Sequence, residues 1–257
     1  MEELSSGSTD EALSSKSNQT SKNESRGLHG PSLGIGAGIA IVSIISAFAA
    51  INLIDSNPEL QFEENPLKPP VGDSISIFTS NSAISLGNEN APITLVEFGD
   101  YQCFFCNKFF HETEPSIIKN YVETGKVKII FKDFTIIGPD SIVAAHATHC
   151  ANDQGRYWEF HDELYNNWGG ENNGWASSEN IVKFAQNVGL NEEEFTQCMN
   201  EGKFQQLISS SSDDARNLGI TGTPAFFVIG PDNQITKISG AQPYEVFQKL
   251  FDSELQK

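Results

Sequence analysis

The chain has 257 residues, 38% of them hydrophobic and 10% aromatic, which is enough for one sizeable domain with appendages. Its formal charge of -18 argues against nucleic acid as a partner, because a face that contacts phosphates must be cationic. Acidity of this degree equally serves solubility, and it points to no particular ligand.

Residues 1–26 are rich in Ser, Asn, Glu and Lys and carry almost no large apolar side chain, so they read as a disordered cytoplasmic tail. Residues 27–54 contain no Asp, Glu, Lys or Arg. Within them Leu33 to Ile54 would span about 33 Å as a helix, the thickness of a bilayer core, which predicts a transmembrane anchor. Lys16, Lys22 and Arg26 precede this span and Lys68 alone follows closely, so the amino terminus is expected in the cytoplasm and the rest of the chain outside it. A cleaved signal peptide is the competing reading, with Ala47-Phe48-Ala49 as its small-x-small site. Gly34 and Gly38 have a spacing that could pack a second helix, a basis for weak dimerisation. Residues 55–73, with four prolines and five acids, read as an extended linker.

From residue 74 the pattern becomes that of a folded domain. A short strand is expected around 82–87, then a strong one at Ile93–Phe98, bounded by Pro92 and Gly99. A helix should start at the cysteine pair of EFGDYQCFFC (97–106) and run to about Val122, broken or kinked at Pro115. Val127–Phe134 is a further strand. Residues 140–218 read as helical, with Ser141, Ser178 and Asn191 as candidate caps and Gly155, Gly189 and Gly202 as terminators. Trp158, His161, Tyr165 and Trp168 share one face, as do Phe195, Cys198 and Met199. Strands at 225–230 and 234–240 and a helix from Pro243 to about Leu255 close the chain.

A Cys-x-x-Cys pair at the start of a helix that follows a strand has a specific use. The first sulfur meets unpaired backbone N–H groups and the positive end of the helix dipole, which stabilise a thiolate. The second lies one turn on, close enough to attack a mixed disulfide. Cys103 is therefore the candidate nucleophile and Cys106 the resolving thiol; by itself the spacing also fits half a metal site or two structural thiols. Glu97 sits in an apolar strand, where burial would raise its pKa and suit it to proton transfer, unless strand alternation turns it to solvent. Pro224 opens the strand that begins at Ala225, a place where it forfeits no ladder bond and where a cis peptide fits.

The blocks APITLVEFGDYQCFFC, DFTIIGPDS, CANDQGRYWEFHDELY, GITGTPAFFVIG and SGAQPYEVF together resemble the thioredoxin superfamily, and within it the DsbA-like thiol-disulfide oxidoreductases. The resemblance covers roughly residues 83–256. It implies an α/β, thioredoxin-like fold with a central mixed β-sheet and an inserted all-helical subdomain, here preceded by one transmembrane helix. The expected parts are 74–139 and 219–257 for the thioredoxin-like domain and 140–218 for the insertion. It implies that Cys103 and Cys106 form the redox pair, that Glu97 holds the buried acidic position, and that Thr223-Pro224 is the cis-proline loop that helps hold an extended substrate. The chain departs from the family in having Phe104 and Phe105 between the cysteines, where proline or histidine is frequent. Without a histidine there, one stabiliser of the thiolate is missing and the redox poise stays open. The two phenylalanines offer an apolar rim for unfolded or membrane-borne partners, or one of them faces the core.

Cys150 and Cys198 each lie on an apolar helical face, and export permits a structural disulfide between them; separate buried thiols and a second redox relay are the other readings. His146, His149 and Cys150 spell H-x-x-H-C, a spacing that can ligate zinc or copper, although histidines on a helix more often serve otherwise. His111 and His161 are isolated in sequence, and no metal is assigned. The expected function is disulfide formation in exported proteins, with no diffusible cofactor and with a membrane redox partner, quinone-linked or thioredoxin-linked, to reset the pair. Its rivals are a disulfide reductase or isomerase and a metal-binding or metal-delivery protein built on the same thiolates.

Overall fold

In a computed structural model, residues 75–257 are described. The expected tail, anchor and linker, with Gly34 and Gly38, lie outside them. No helix among the described residues is long and apolar enough to cross a membrane.

The runs rich in β-branched and aromatic residues form four strands: β1 (Ile93–Gly99), β2 (Val127–Asp133), β3 (Ala225–Ile229) and β4 (Ile235–Ser239). They pair in the order β2-β1-β3-β4, with β1 and β2 parallel and the other two pairings antiparallel, so the sheet is mixed. The strand expected at 82–87 is reduced to a single bridge from Leu86 to Ile129. Gly87, at φ +102, turns the chain away, and its missing side chain leaves room for Val122.

Nine α-helices surround this sheet among the described residues: α1 (Ser76–Thr79), α2 (Phe104–Glu112), α3 (Glu114–Ile117), α4 (Pro139–Asn152), α5 (Tyr157–Asn166), α6 (Ser178–Asn187), α7 (Glu192–Glu201), α8 (Gln205–Asn217) and α9 (Tyr244–Glu254). The helix expected from the cysteines to Val122 divides in three. Because Pro115 has no N–H to continue the ladder, α2 closes at Thr113, whose N–H bonds Phe109 O at 2.9 Å, and Pro115 falls in the first turn of α3. A π-turn, Ile118–Val122, follows.

Helices α4 to α8 lie between β2 and β3 in the chain, interrupted by a glycine-rich stretch at 167–177 where the sequence pattern suggested continuous helix. Asn191 caps α7 as expected, accepting from the N–H groups of Glu193 and Glu194 at 3.0 and 3.1 Å, and Gly202 ends it at φ +63. Ser178 lies inside its helix behind Ser177, whereas Ser141 caps α4 from its first turn, its Oγ accepting from Gly138 N–H at 3.3 Å. Cys150 and Cys198 are bonded, tying α4 to α7 across a separation of 48 residues. On chain-entropy grounds such a loop stabilises the fold by about 4 kcal/mol.

Both faces of the sheet are covered. One packs Leu95, Ile129, Phe226 and Val228 against Phe109, Ile117, Phe247 and Phe251 of α2, α3 and α9. The other packs Val96, Phe98, Ile130 and Phe227 against Phe78 of α1 and Ala215 of α8. Lys132, wholly buried on this second face, donates to the carbonyls of Ile77 and Ser80, both at 2.7 Å, and to Asp214 Oδ2 at 2.6 Å. One ammonium thus fastens α1 and α8 to β2. A third core, built from α4 to α7, reaches Tyr101, Cys103, Cys106 and Phe131. The helical block therefore packs directly behind the cysteine pair.

Candidate active site

The turn that follows β1 is fixed before any sulfur is placed. The Asp100 carboxylate accepts from Gln102 N–H at 2.9 Å and from the N–H groups of Ile136 and Ile137 at 2.8 and 3.0 Å, while Asp100 O accepts from Cys103 N–H at 2.9 Å. Burial raises this carboxyl's pKa despite those bonds, which act to lower it. Gly99 admits the Phe131 ring, since a Cβ there would lie 2.5 Å from it.

Cys103 is the N-cap of α2, and Cys106 lies one turn inside. Both are reduced and buried. The Cys103 thiol is lowered from 9.0 to about 6, first by the hydrogen bond from the Cys106 thiol, against a burial penalty, and further by Thr223 and by the backbone N–H groups of Cys106 and Phe105. Cys106 goes the other way: burial raises it well above 9.0, helped by its bond to Cys103 and by the charges of Cys103 and Glu97. Two identical side chains are thereby made a thiolate and a thiol.

Opposite them, the Thr223-Pro224 peptide is cis, and Thr223 O lies 3.3 Å from Cys103 Sγ. Thr221, Gly222, Thr223, Pro224, Lys237 and Ser239 line a groove of about 230 Å³ here. Phe104 and Phe105 are 49% and 55% exposed, and their rings meet edge to face at 5.3 Å, so neither faces the core. Trp168 packs on Phe104 at 5.9 Å and extends this apolar rim.

Glu97 is 3% exposed and faces the same side of the sheet as Leu95, toward α2 and α3. Strand alternation does not bring it to solvent, because β1 is central and covered on both sides. Burial raises its pKa well above 4.5, and Glu114 and then Cys103 add to the rise. Glu114, at the start of α3 and also 3% exposed, is pushed up to about 8 by burial and by Asp162. Sequence reasoning missed Glu114, which nothing local marks, and missed the anchoring pairs Asp100 and Gln102, which only the folded contacts reveal. Lys132 and Asp133 did carry a signal, two charges inside a strong strand. Asp133 is buried against His149, 2.7 Å from its Nε2, while His146 Nε2 accepts from Phe204 N–H at 3.4 Å. The H-x-x-H pair is thus divided between two partners. The donor set of His146, Cys150 and Cys198 has both sulfurs in the disulfide. His111 Nε2 lies 3.3 Å from Tyr165 O, and His161 is ringed by Tyr101, Phe131 and Tyr165.

A helix-capping thiolate, a buried partner thiol one turn on and a facing cis-proline loop define a site for thiol–disulfide exchange on a thioredoxin-like fold. The family model described as thioredoxin matches residues 79–253. A probable disulfide bond formation protein D from Bacillus anthracis is 30% identical over 187 residues, 70% of this chain and 82% of that protein. Among solved structures, oxidised BdbD from Bacillus subtilis matches with a TM-score of 0.62 at 26% identity, covering 69% of this chain and 94% of that one. Wolbachia pipientis alpha-DsbA1 matches with a TM-score of 0.59 at 27% identity, covering 66% and 88%. The chain belongs to the thioredoxin family, among its DsbA-like thiol-disulfide oxidoreductases.

Proposed function

We propose that this oxidoreductase forms disulfides in exported proteins, held at the membrane by residues 27–54 with its redox domain outside the cytoplasm. The observation that carries the direction is the opposed acidity of the pair: Cys103 is held at about 6 while Cys106 is raised. A stabilised thiolate favours the reduced form, and so makes the disulfide form an oxidant. The names of the Bacillus relatives, disulfide bond formation proteins, support the same direction.

In the oxidised enzyme a substrate thiolate attacks Cys103 Sγ. The Cys103–Cys106 bond breaks, a substrate–Cys103 disulfide forms, and Cys106 leaves and takes a proton. Protonated Glu97 is the donor for that proton, since burial keeps it protonated well above the usual carboxylate range. A second substrate thiolate then attacks the substrate sulfur of the mixed disulfide and expels Cys103 as a thiolate, a good leaving group because of its low pKa. Two electrons have passed from a substrate dithiol to the cysteine pair. A membrane-borne disulfide or quinone partner accepts them and resets the site. Thr223 and Pro224 support an extended substrate segment in the groove beside Cys103, and Phe104 and Phe105 contact its apolar side chains.

The test is the equilibrium potential of the pair against glutathione, together with oxidation of a reduced, unfolded protein by the oxidised enzyme. A potential of roughly -120 to -180 mV with stoichiometric substrate oxidation is expected; about -270 mV would mean a reductase.

A further inference from the structure

Between α5 and α6 runs Trp168-Gly-Gly-Glu-Asn-Asn-Gly-Trp175. This segment is pinned to the active-site turn from several sides. Trp168 Nε1 donates to Gln102 O at 3.0 Å, Asn172 N–H donates to Gln102 Oε1 at 2.8 Å, and Asn172 Nδ2 donates to Ile137 O at 3.1 Å. Gln102 Nε2 in turn donates to Ser141 Oγ at 3.0 Å. Asn172 lies so close to Gly138 that a Cβ there would fall 1.9 Å from Asn172 Oδ1. Within this clamp Glu171 Oε1 accepts from Phe104 N–H at 3.0 Å.

Phe104 N–H is the first free donor of α2, and Cys103 is the residue just before it. The thiolate draws on the next two donors, Phe105 and Cys106. A carboxylate and a thiolate thus share one helix terminus, whose partial positive charge is worth roughly half a unit. Other charged groups near the pair are differently placed: Glu97 on β1 and Glu114 on α3 are buried, Asp100 is committed to three N–H groups, Lys108 on α2 pairs with Glu112 at 3.7 Å, and Lys237 on β4 lines the groove.

Resting on the exchange reading above, we propose that Glu171 is a positioning residue that sets the redox poise, its carboxylate opposing the thiolate form of Cys103 from the same helix terminus. When Cys103 is in a disulfide its sulfur carries no charge and the repulsion is gone. Glu171 therefore favours the disulfide and makes the enzyme a milder oxidant. An exposed carboxylate and a buried thiolate at one helix terminus shift such an equilibrium about three- to tenfold. For this two-electron couple that is about 15 to 30 mV.

The experiment compares the full chain with Glu171→Gln, which keeps the accepting oxygen and loses the charge, and Glu171→Ala, which loses both. Thiolate ultraviolet absorbance against pH and the equilibrium with glutathione are the readouts. Glu171→Gln is expected to move the Cys103 titration down by about half to one pH unit and to favour the reduced protein about three- to tenfold, with the difference shrinking as salt is added. Superposition of Glu171→Gln on the parent in both readouts would overturn the proposal, as would a change confined to Glu171→Ala, which would assign the effect to the hydrogen bond. A parent protein that exchanges normally separates that failure from failure of the exchange reading. A parent that does not exchange overturns both.

Discussion

The acidity of Cys103 makes the protein's stability depend on pH in a direction that can be worked out in advance. Its thiol is lowered from 9.0 to about 6, so in the reduced protein it contributes stability that is fully present above the ordinary thiol value and is lost as pH falls through 6. Linkage gives a ceiling of roughly 2.6 kcal/mol between pH 8 and pH 5. Screening at the end of the helix brings the expected loss to about 1 to 1.5 kcal/mol. The perturbation is Cys103→Ser in the full chain, with urea unfolding of both reduced proteins at the two pH values. The stability gap between parent and variant should be larger at the higher pH by that amount. Alkylation of the parent should reach half its maximal rate near pH 6. A gap independent of pH, with alkylation rising only near the ordinary thiol value, would refute the account of the thiolate.

Glu114→Gln should stabilise the protein by about 2 kcal/mol at pH 8 and by little at pH 5: a carboxyl raised to about 8 holds its proton in the fold, so its contribution is lost as pH rises above the unfolded value. Urea unfolding at both pH values checks this, and an equal change at both would count against it. Lys132→Met leaves the carbonyls of Ile77 and Ser80 without their donor and Asp214 without its cation, and should destabilise by about 3 kcal/mol with early protease cleavage at α1. Replacing Phe104 and Phe105 together by Ser should slow exchange with an unfolded protein about tenfold while leaving exchange with glutathione within about twofold, as the proposed contact of these exposed rings with large apolar substrates requires.

Much of this fold is written locally. Ile93–Phe98, Val127–Phe134 and the two strands after Pro224 are runs of β-branched and aromatic residues with clear ends, and they became β1 to β4. The stretch at 82–87 has weaker runs and ends at a glycine, and only Leu86 pairs. Helical reading of 140–218 failed at 167–177 because a periodic pattern was extended through Gly169, Gly170 and Gly174, which mark a loop. In the site, Cys103 and Cys106 were legible from spacing, and Glu97 from its place in an apolar run. Glu114, Gln102, Asp100 and Glu171 were not, since each acts through a partner distant in sequence or through burial that depends on packing. Gln102, for example, matters through Trp168 and Asn172, some seventy residues away.

The chemical asymmetry of the pair follows from helix geometry before it follows from the residues between the cysteines. A step of three residues carries the sulfur from the open N-terminus of α2, where N–H groups face it, to a position closed by the helical core and the sheet. The first position favours an anion and the second penalises one, so their shifts oppose. Phe104 and Phe105 supply no charge to this and are free to serve as rim. The fine adjustment falls to carboxylates on two sides. Glu97, buried on β1 with its pKa raised by that burial, is the proposed proton donor to Cys106. Glu171, exposed, meets the helix terminus through Phe104 N–H and is the proposed opponent of the Cys103 thiolate. Burial alone assigns the same functional group these two roles, and it does so through contacts that reach the cysteines from β1 on one side and from the helical block on the other.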